Sequence, residues 1–222
     1  FGIPHSASHA LALPLLRAVR QHLPKVSLEL TEELTGNLTR QLQAGQIQLA
    51  VLFQDGQIGD FMVTPVLTEQ LSLIEPATAT TTLTPQHKPT GLTLKQALAR
   101  PLILPANPHG VRPVIEAAAL RAGLPAPNVE ADISSISILR TTLLAGMGRT
   151  LLPTMPLAPD IDAGVLQVTP VEGLSRVLMV CSSAHIPRTS ACEAVAELAV
   201  NLMRSLSMTG EWRDSTPITQ NE

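Results

Sequence analysis

Apolar residues along this chain switch repeatedly between the two-residue period of a strand and the three-to-four-residue period of a helix. The opening "FGI" is a short apolar strand. Leu11, Leu15, Val19 and Leu23, spaced four apart, then mark one face of a helix. Ser6 or Ser8 is placed to cap it by accepting a bond from an unpaired N–H. Pro14, beyond the first turn, is expected to kink or delay it. "VSLELT" alternates, with Val26, Leu28 and Leu30 on one side, and predicts a second strand. Thr35 then caps "GNLTRQLQAG", a helix with Leu38 and Leu42 inward and Gly45 as its stop. "IQLAVLF" reads as a buried strand, "QDGQ" as a turn, and "FMVTPVL" and "LSLIE" as two further strands.

Residues 76–91, "PATATTTLTPQHKPTG", have no period and read as an exposed loop. The alternation then resumes. Thr93 caps a short helix ending at Arg100-Pro101, "LILP" is a strand, and "ANPHG" is a loop. "VRPVIEAAALRAG" is a helix stopped by Gly123, and "NVEADI" is a strand. In "DISSISILRTTLLAGMGRTLLP", residues 132–153, three serines crowd the mouth of an apolar helix. G-M-G stops it and returns the chain to a short strand. "GVLQVTPV" and "RVLMVC" are late strands. Ser190-Ala-Cys-Glu193 reads as a capping box opening a helix with Val195, Leu198, Leu202 and Leu206 inward. The tail from Ser207, which holds Trp212, is polar and is expected to fray or pack loosely.

Two alternating β/α sets predict an α/β fold of two lobes, with parallel sheets covered by helices on both faces. The expected division is residues 1–74 with 176–206, residues 75–175, and a polar C-terminal tail, residues 207–222. A length of 222 residues, with 45% hydrophobic and 15% charged positions, suits such packed lobes. A net charge of −3 lacks the basic excess of a nucleic-acid surface. An aromatic content of 2%, with no tyrosine, leaves no platform for stacking bases. Cys181 and Cys192 show no metal-ligand or C-x-x-C spacing and read as buried thiols in a reducing compartment. The chain has no apolar run of membrane length and no signal peptide. Its start at Phe1, on what reads as a strand already under way, leads us to expect a fragment of a longer protein.

In open α/β folds ligands collect beyond the carboxyl ends of strands, where helix N-termini offer unpaired N–H groups and partial positive charge. Four strand-to-helix turns here carry small polar groups there. They are "PHSAS" (Ser6, Ser8), "ELTG" (Thr35), "PANPHG" (Asn107, His109) and "DISSIS" (Ser134, Ser135, Ser137). Each hydroxyl taken alone reads as a plain helix cap. Converging from two facing lobes, the turns would form a cleft for a small anion or polar metabolite. Enzyme chemistry finds little support. There is no G-x-S-x-G elbow, phosphate loop or G-x-G-x-x-G. His5, His9, His22, His87, His109 and His185 show no metal spacing, so no metal or cofactor is expected. Glu130 and Asp132 share one strand face, which suits solvated charge or a salt bridge between lobes better than acid–base catalysis.

The order of these motifs resembles the effector-binding domain of LysR-type transcriptional regulators over about residues 1–206. The carriers are "GIPHSASHALALPLLRAVRQHLPKVSLELTEELTGNLTRQLQAGQIQLAVLF", "PLILPANPHGVR" and "VEADISSISILRTTLLAGMGRTLLP". Within that family the text is most similar to members of the nitrogen-assimilation-control kind. Gln48 stands where the family usually has Asp in its "x-D-L-A-I" strand. The resemblance implies two Rossmann-like subdomains of the type 2 periplasmic-binding-protein kind, hinged by two crossing strands. It implies a small-molecule effector and homodimers or tetramers. It also implies cytoplasmic location, and DNA binding only through a winged helix-turn-helix that these residues do not contain. Carried over residue by residue, the effector contacts are Ser6, Ser8, Thr35, Ala106, Asn107, His109, Ser135 and Ser137. The rival readings are a transporter's solute-binding protein, which shares the fold, and an assembly module that needs no ligand. Ala106, where a hydroxyl would be expected, favours the second rival.

Overall fold

The computed structural model describes residues 1–54, 60–77, 91–106 and 110–218. The elements begin with β1 (Gly2–Pro4), α1 (His5–His22), β2 (Thr31–Glu33), α2 (Thr35–Gln43), β3 (Ala50–Phe53) and β4 (Phe61–Pro76). Then come α3 (Leu94–Leu98), β5 (Leu102–Leu104), α4 (Arg112–Arg121), β6 (Val129–Asp132), α5 (Ile136–Leu144) and β7 (Thr150–Leu152). A 3-10 turn at Met155–Leu157 leads into α6 (Ala158–Asp162), followed by β8 (Leu166–Ser183), α7 (Ser190–Met208) and β9 (Ser215–Pro217). The chain divides into two compact units, Phe1–Glu69 with everything from Arg176 onward, and Gln70–Ser175. The boundaries fall inside β4 and β8, so both strands pass from one unit to the other.

In the first unit the strand order is β2-β1-β3-β8-β4. β1 is parallel to β2 and β3, whereas β3 and β8 are antiparallel, and so are β4 and β9. The sheet is therefore mixed and not parallel throughout, because β8 and β9 return from elsewhere in the chain. Leu38 and Leu42 of α2 pack on Ala50, Leu52, Met179 and Cys181. α1 packs against α7. The helix stripe of α1 is as the sequence predicts, with Leu11, Leu15 and Val19 buried. Its start differs. Pro4 holds the N-cap position with extended backbone, so Ser6 and Ser8 lie inside the first turn and neither caps. α1 also runs unbroken through Pro14. β2 is confined to Thr31–Glu33, since β1 offers only three residues to pair with. Val26, Leu28 and Leu30 keep their alternating half-burial without joining the ladder.

In the second unit β5 and β6 are parallel, and the distal half of β4 pairs antiparallel with β7. Their buried core includes Leu73, Leu102, Leu104, Ile115, Leu139 and Leu151. Thr93 caps α3 with the reciprocal Gln96 bonds of a capping box. The loop expected over residues 76–91 and the "QDGQ" turn fall mostly outside the described residues.

Two expected strand pairs are single strands. β4 spans both "FMVTPVL" and "LSLIE", with Pro65 exposed along it. β8 spans both "VLQVTPV" and "RVLMVC", carrying Gly173 at φ +68° between them. That left-handed residue and its polar neighbours break the apolar pattern without ending the strand. The α7 cap is Thr189, whose Oγ1 accepts from Cys192 N at 3.2 Å, one residue before the expected Ser190. Leu206 and Val195 face inward, while Leu198 and Leu202 are only half-buried. The tail does not pack loosely up to Ile218. Trp212 is 1% exposed and β9 pairs with β4.

Trp212 is held by a buried charge. Its Nε1 donates to Glu69 Oε1 at 2.8 Å. Glu69 Oε2 accepts from Arg176 Nε at 2.7 Å and from Arg176 Nη2 at 2.6 Å. Arg176 Nη2 also donates to Ser6 Oγ at 3.0 Å, and the guanidinium lies 3.8 Å over the Phe53 ring. Both charged side chains are wholly buried. Burial pushes the Arg176 pKa down, and Glu69 pulls it back. Removing one partner of such a pair strands the other charge in the interior. Arg176→Ala is expected to cost about 3–5 kcal/mol, read as a drop in the urea midpoint of Trp212 fluorescence. The double variant Arg176→Met with Glu69→Leu should cost less than either single one. A double variant as unstable as Arg176→Ala would show that packing, and not the stranded charge, sets the loss.

Candidate functional site

In the first unit, parallel neighbouring strands deliver two helix starts to the same edge, and in the second they deliver a loop and a helix start. The β1–β2 register pairs Pro4 with Glu33, so the starts of α1 and α2 lie side by side. The β5–β6 register pairs Leu104 with Asp132, which does the same for Ala106 and the serines before α5. None of α1, α2 and α5 carries an acid in its first turn, leaving the partial positive charge of each N-terminus uncompensated by its own helix.

In the first unit Ser6 and Ser8 diverge, because residues two apart on a helix point roughly 200° from one another. Ser6 is buried and accepts from Arg176. A hydroxyl that accepts from a guanidinium keeps its own proton to donate. Ser8 instead donates to His5 O at 3.1 Å and makes a short bond to Glu32 Oε1. It lines a shallow pocket of about 300 Å³ with Ile3, His9 and Thr31. His5 Nδ1 sits 3.4 Å from the same Glu32 oxygen. Thr35 is the first residue of α2 and not its cap, a position held by Leu34. Its Oγ1 is buried and has no partner.

In the second unit Ala106 N donates to Ser134 Oγ at 3.1 Å, tying the loop after β5 to the loop after β6. Ser135 caps α5, its hydroxyl accepting from Ile138 N at 3.4 Å. Ser137, one turn on, is exposed. Asn107 and His109 lie outside the described residues. G-M-G performs two distinct tasks. Gly146 ends α5 at φ +74°, with Met147 N bonded back to Thr142 O at 3.1 Å. Gly148 makes room, since a Cβ there would stand 2.7 Å from Ile103 Cδ1. Asp132 pairs with Arg112 Nη1 at 3.0 Å inside this unit, so it is neither simply solvated nor reaching for the other lobe.

Sequence reading missed Glu69, in a polar run between two expected strands, and Arg176, at the start of a third, and gave Ser134 no role of its own. It also missed Arg140, whose guanidinium grips Asp160 through two bonds of 2.6 Å and braces α5 on α6. Among the described residues no group of His, Cys, Asp or Glu could hold a metal ion, and no helix is long and apolar enough to cross a membrane. Cys181 and Cys192 are buried, and burial pushes the Cys192 thiol pKa up, away from reactivity.

The model of the LysR substrate binding domain matches residues 1–204. The chain is 28% identical over 214 residues to the HTH-type transcriptional regulator BbuR of Bordetella bronchiseptica, covering 95% of this chain and 64% of that protein. It is 28% identical over 208 residues to the nitrogen assimilation regulatory protein nac of Klebsiella aerogenes, covering 92% and 65%. The chain thus spans just under two thirds of the length of these relatives. Among solved structures, the regulatory domain of CcmR from Synechocystis PCC6803, in complex with 2-PG, aligns with a TM-score of 0.77. The alignment has 14% identity and covers 92% of this chain and 96% of that one. That likeness carries the type 2 periplasmic-binding-protein fold.

The two kinds of hydroxyl separate under mutation. Ser135→Ala removes a working cap and should cost about 1 kcal/mol, while Thr35→Val removes a hydroxyl that is already unsatisfied and should leave stability unchanged or raised. Thermal unfolding of the two variants against the parent chain checks both signs.

Proposed function

The chain belongs to the LysR substrate-binding-domain family, and from that premise we propose that it is the effector-binding and oligomerisation domain of a transcriptional regulator. It takes a small anionic or polar metabolite on its strand-to-helix turns. The contacts proposed are Ser6, Ser8 and Thr35 in one unit and Ala106, Asn107, His109, Ser135 and Ser137 in the other. The observation that carries this reading is the Ser6–Arg176 bond at 3.0 Å. It leaves a hydroxyl free to donate at the start of α1, and the neighbouring start of α2 carries the unpartnered Thr35 Oγ1. Preorganised donors that lack acceptors suit a ligand rich in acceptors.

The function proposed is binding and not catalysis, a reading supported by relatives that are named as regulators. The regulator works in the cytoplasm as a homodimer or tetramer. It reaches DNA through a winged helix-turn-helix lying outside these residues, a reading supported by a relative named as an HTH-type transcriptional regulator. A ligand shifts such an oligomer only by binding one of its states better than the other. A second reading is assembly without any effector. It draws on Leu13 and Leu16, 54% and 44% exposed on α1, and on the missing hydroxyl at Ala106.

A thermal-shift screen with small carboxylates, phosphate esters, amino acids and nucleobases separates the two. A ligand at a hundred times its Kd adds about 2.7 kcal/mol, which is roughly 5–10 °C in Tm for this size. The effector reading expects a hit of that size that Ser6→Ala and Thr35→Val reduce. A flat screen, with an oligomer that Leu13→Glu dissociates, would favour the assembly reading.

A further inference from the structure

On the first unit, well removed in sequence from the strand-to-helix turns, a groove of about 650 Å³ runs along α7. That volume falls within the range of small-molecule sites, about 300–1,000 Å³. Its floor is one face of β8. Val180, Cys181 and Ser182 line it, Val180 and Ser182 from the face opposite the one on which Met179 and Cys181 pack in the α2 core. Met62 and Thr64 of β4 form one wall. The other is a stripe of α7, Glu193, Glu197, Asn201 and Arg204, spaced four, four and three, with Arg188 just before the helix. Neither Ser6 nor Thr35 lines it.

Two polar groups in this groove are buried without a partner. Ser182 is 2% exposed and its Oγ makes no hydrogen bond. Arg204 Nε is likewise buried and unbonded. A guanidinium N–H can only donate, so what the groove lacks is an acceptor. A buried donor left unsatisfied is costly, and an anionic oxygen would remove that cost. The two glutamates have the opposite status. Glu193 and Glu197 are exposed and form no ion pair among the described residues, so water serves them. They nonetheless set the sign of the field. Two carboxylates and two guanidiniums give a lining with no net formal charge. A dianion would meet the glutamates, and a plain amine would leave the Arg204 donor unsatisfied. Only a ligand carrying both charges satisfies the whole stripe.

We propose that this groove is a second binding site, for a small zwitterion of the free α-amino-acid class. The carboxylate is taken by Arg204 and Ser182 and the ammonium by Glu197 and Glu193. The site stands on α7 and β8 and does not depend on the turns that carry the proposed effector contacts.

Calorimetric titration of the chain with each neutral L-α-amino acid tests this, with acetate, succinate and ethylammonium as controls bearing charge of one sign. At least one amino acid should bind saturably and more tightly than any control. Ser182→Ala and Arg204→Gln should each weaken it about tenfold or more, while Ser6→Ala and Thr35→Val leave it unchanged. Glu197→Gln should weaken the amino acid and strengthen acetate, an inversion that general damage to the fold would not produce. Binding of no amino acid, or of succinate as tightly as any amino acid, overturns the proposal. So does binding that Ser6→Ala abolishes and Ser182→Ala spares, a result that would instead assign the ligand to the turns.

Discussion

The first unit depends on one buried ion pair, Glu69 with Arg176. These residues flank the two points at which the chain leaves that unit and returns to it. Taking both charges out of water costs several kcal/mol each. The geometry offsets that cost through bonds to both carboxylate oxygens and to two of the three guanidinium nitrogens, Nη1 alone being buried without a partner. One carboxylate oxygen takes two guanidinium bonds and the other takes the Trp212 indole. The guanidinium then reaches Ser6 and covers the Phe53 ring. These contacts tie β1–α1, β3, β4, β8 and the chain beyond α7 to one point. Hydrogen bonds and charge give that meeting a direction that apolar burial, which is non-directional, does not supply.

That same network sets the limit of what could be read from the sequence. Local rules were legible. The Leu11–Leu15–Val19 stripe, the inward Leu38 and Leu42, the Thr93 capping box and the Gly45, Gly123 and Gly146 stops all depend on residues a few positions apart. Glu69 and Arg176 are 107 positions apart, and Trp212 is 143 from Glu69. Each taken singly is a charge between expected strands or at the start of one, or an aromatic in a polar tail. The tail reads as loose because its one anchor bonds to a residue that no periodicity connects to it. The merged strands β4 and β8 hide for a related reason. A long strand that passes between units changes its burial partners midway, so its apolar pattern breaks where its backbone does not.

The turns show the same division at the scale of single hydroxyls. Small polar residues at helix starts were legible as a set, yet their employment was not. Ser135 caps its helix, Ser134 ties two loops together, and Ser8 is spent on Glu32 and the His5 carbonyl. Ser6 is oriented by a buried arginine, and Thr35 has no partner. Residue type is identical across these positions. What distinguishes a structural hydroxyl from an available one is whether another part of the chain has already claimed it, and that is a tertiary fact.

Availability bears directly on what kind of ligand could work a switch. Moving a two-state equilibrium from 1:99 to 99:1 needs a differential affinity of about 5.5 kcal/mol. Hydrogen bonds between neutral groups contribute about 0.5–1.5 kcal/mol each. Three hydroxyl bonds to a neutral ligand, even if made in one state only, fall short of that total. Bonds to a charged group are worth about 1.5–3 kcal/mol each, and helix N-termini add favourable field for a negative one, which at the start of α1 the Glu32 carboxylate opposes. Three such bonds span the required range. Under the proposed function, an anionic effector is therefore the kind that could move such an equilibrium fully. With a neutral one it would only be biased, unless apolar contacts differing between its two states made up the remainder.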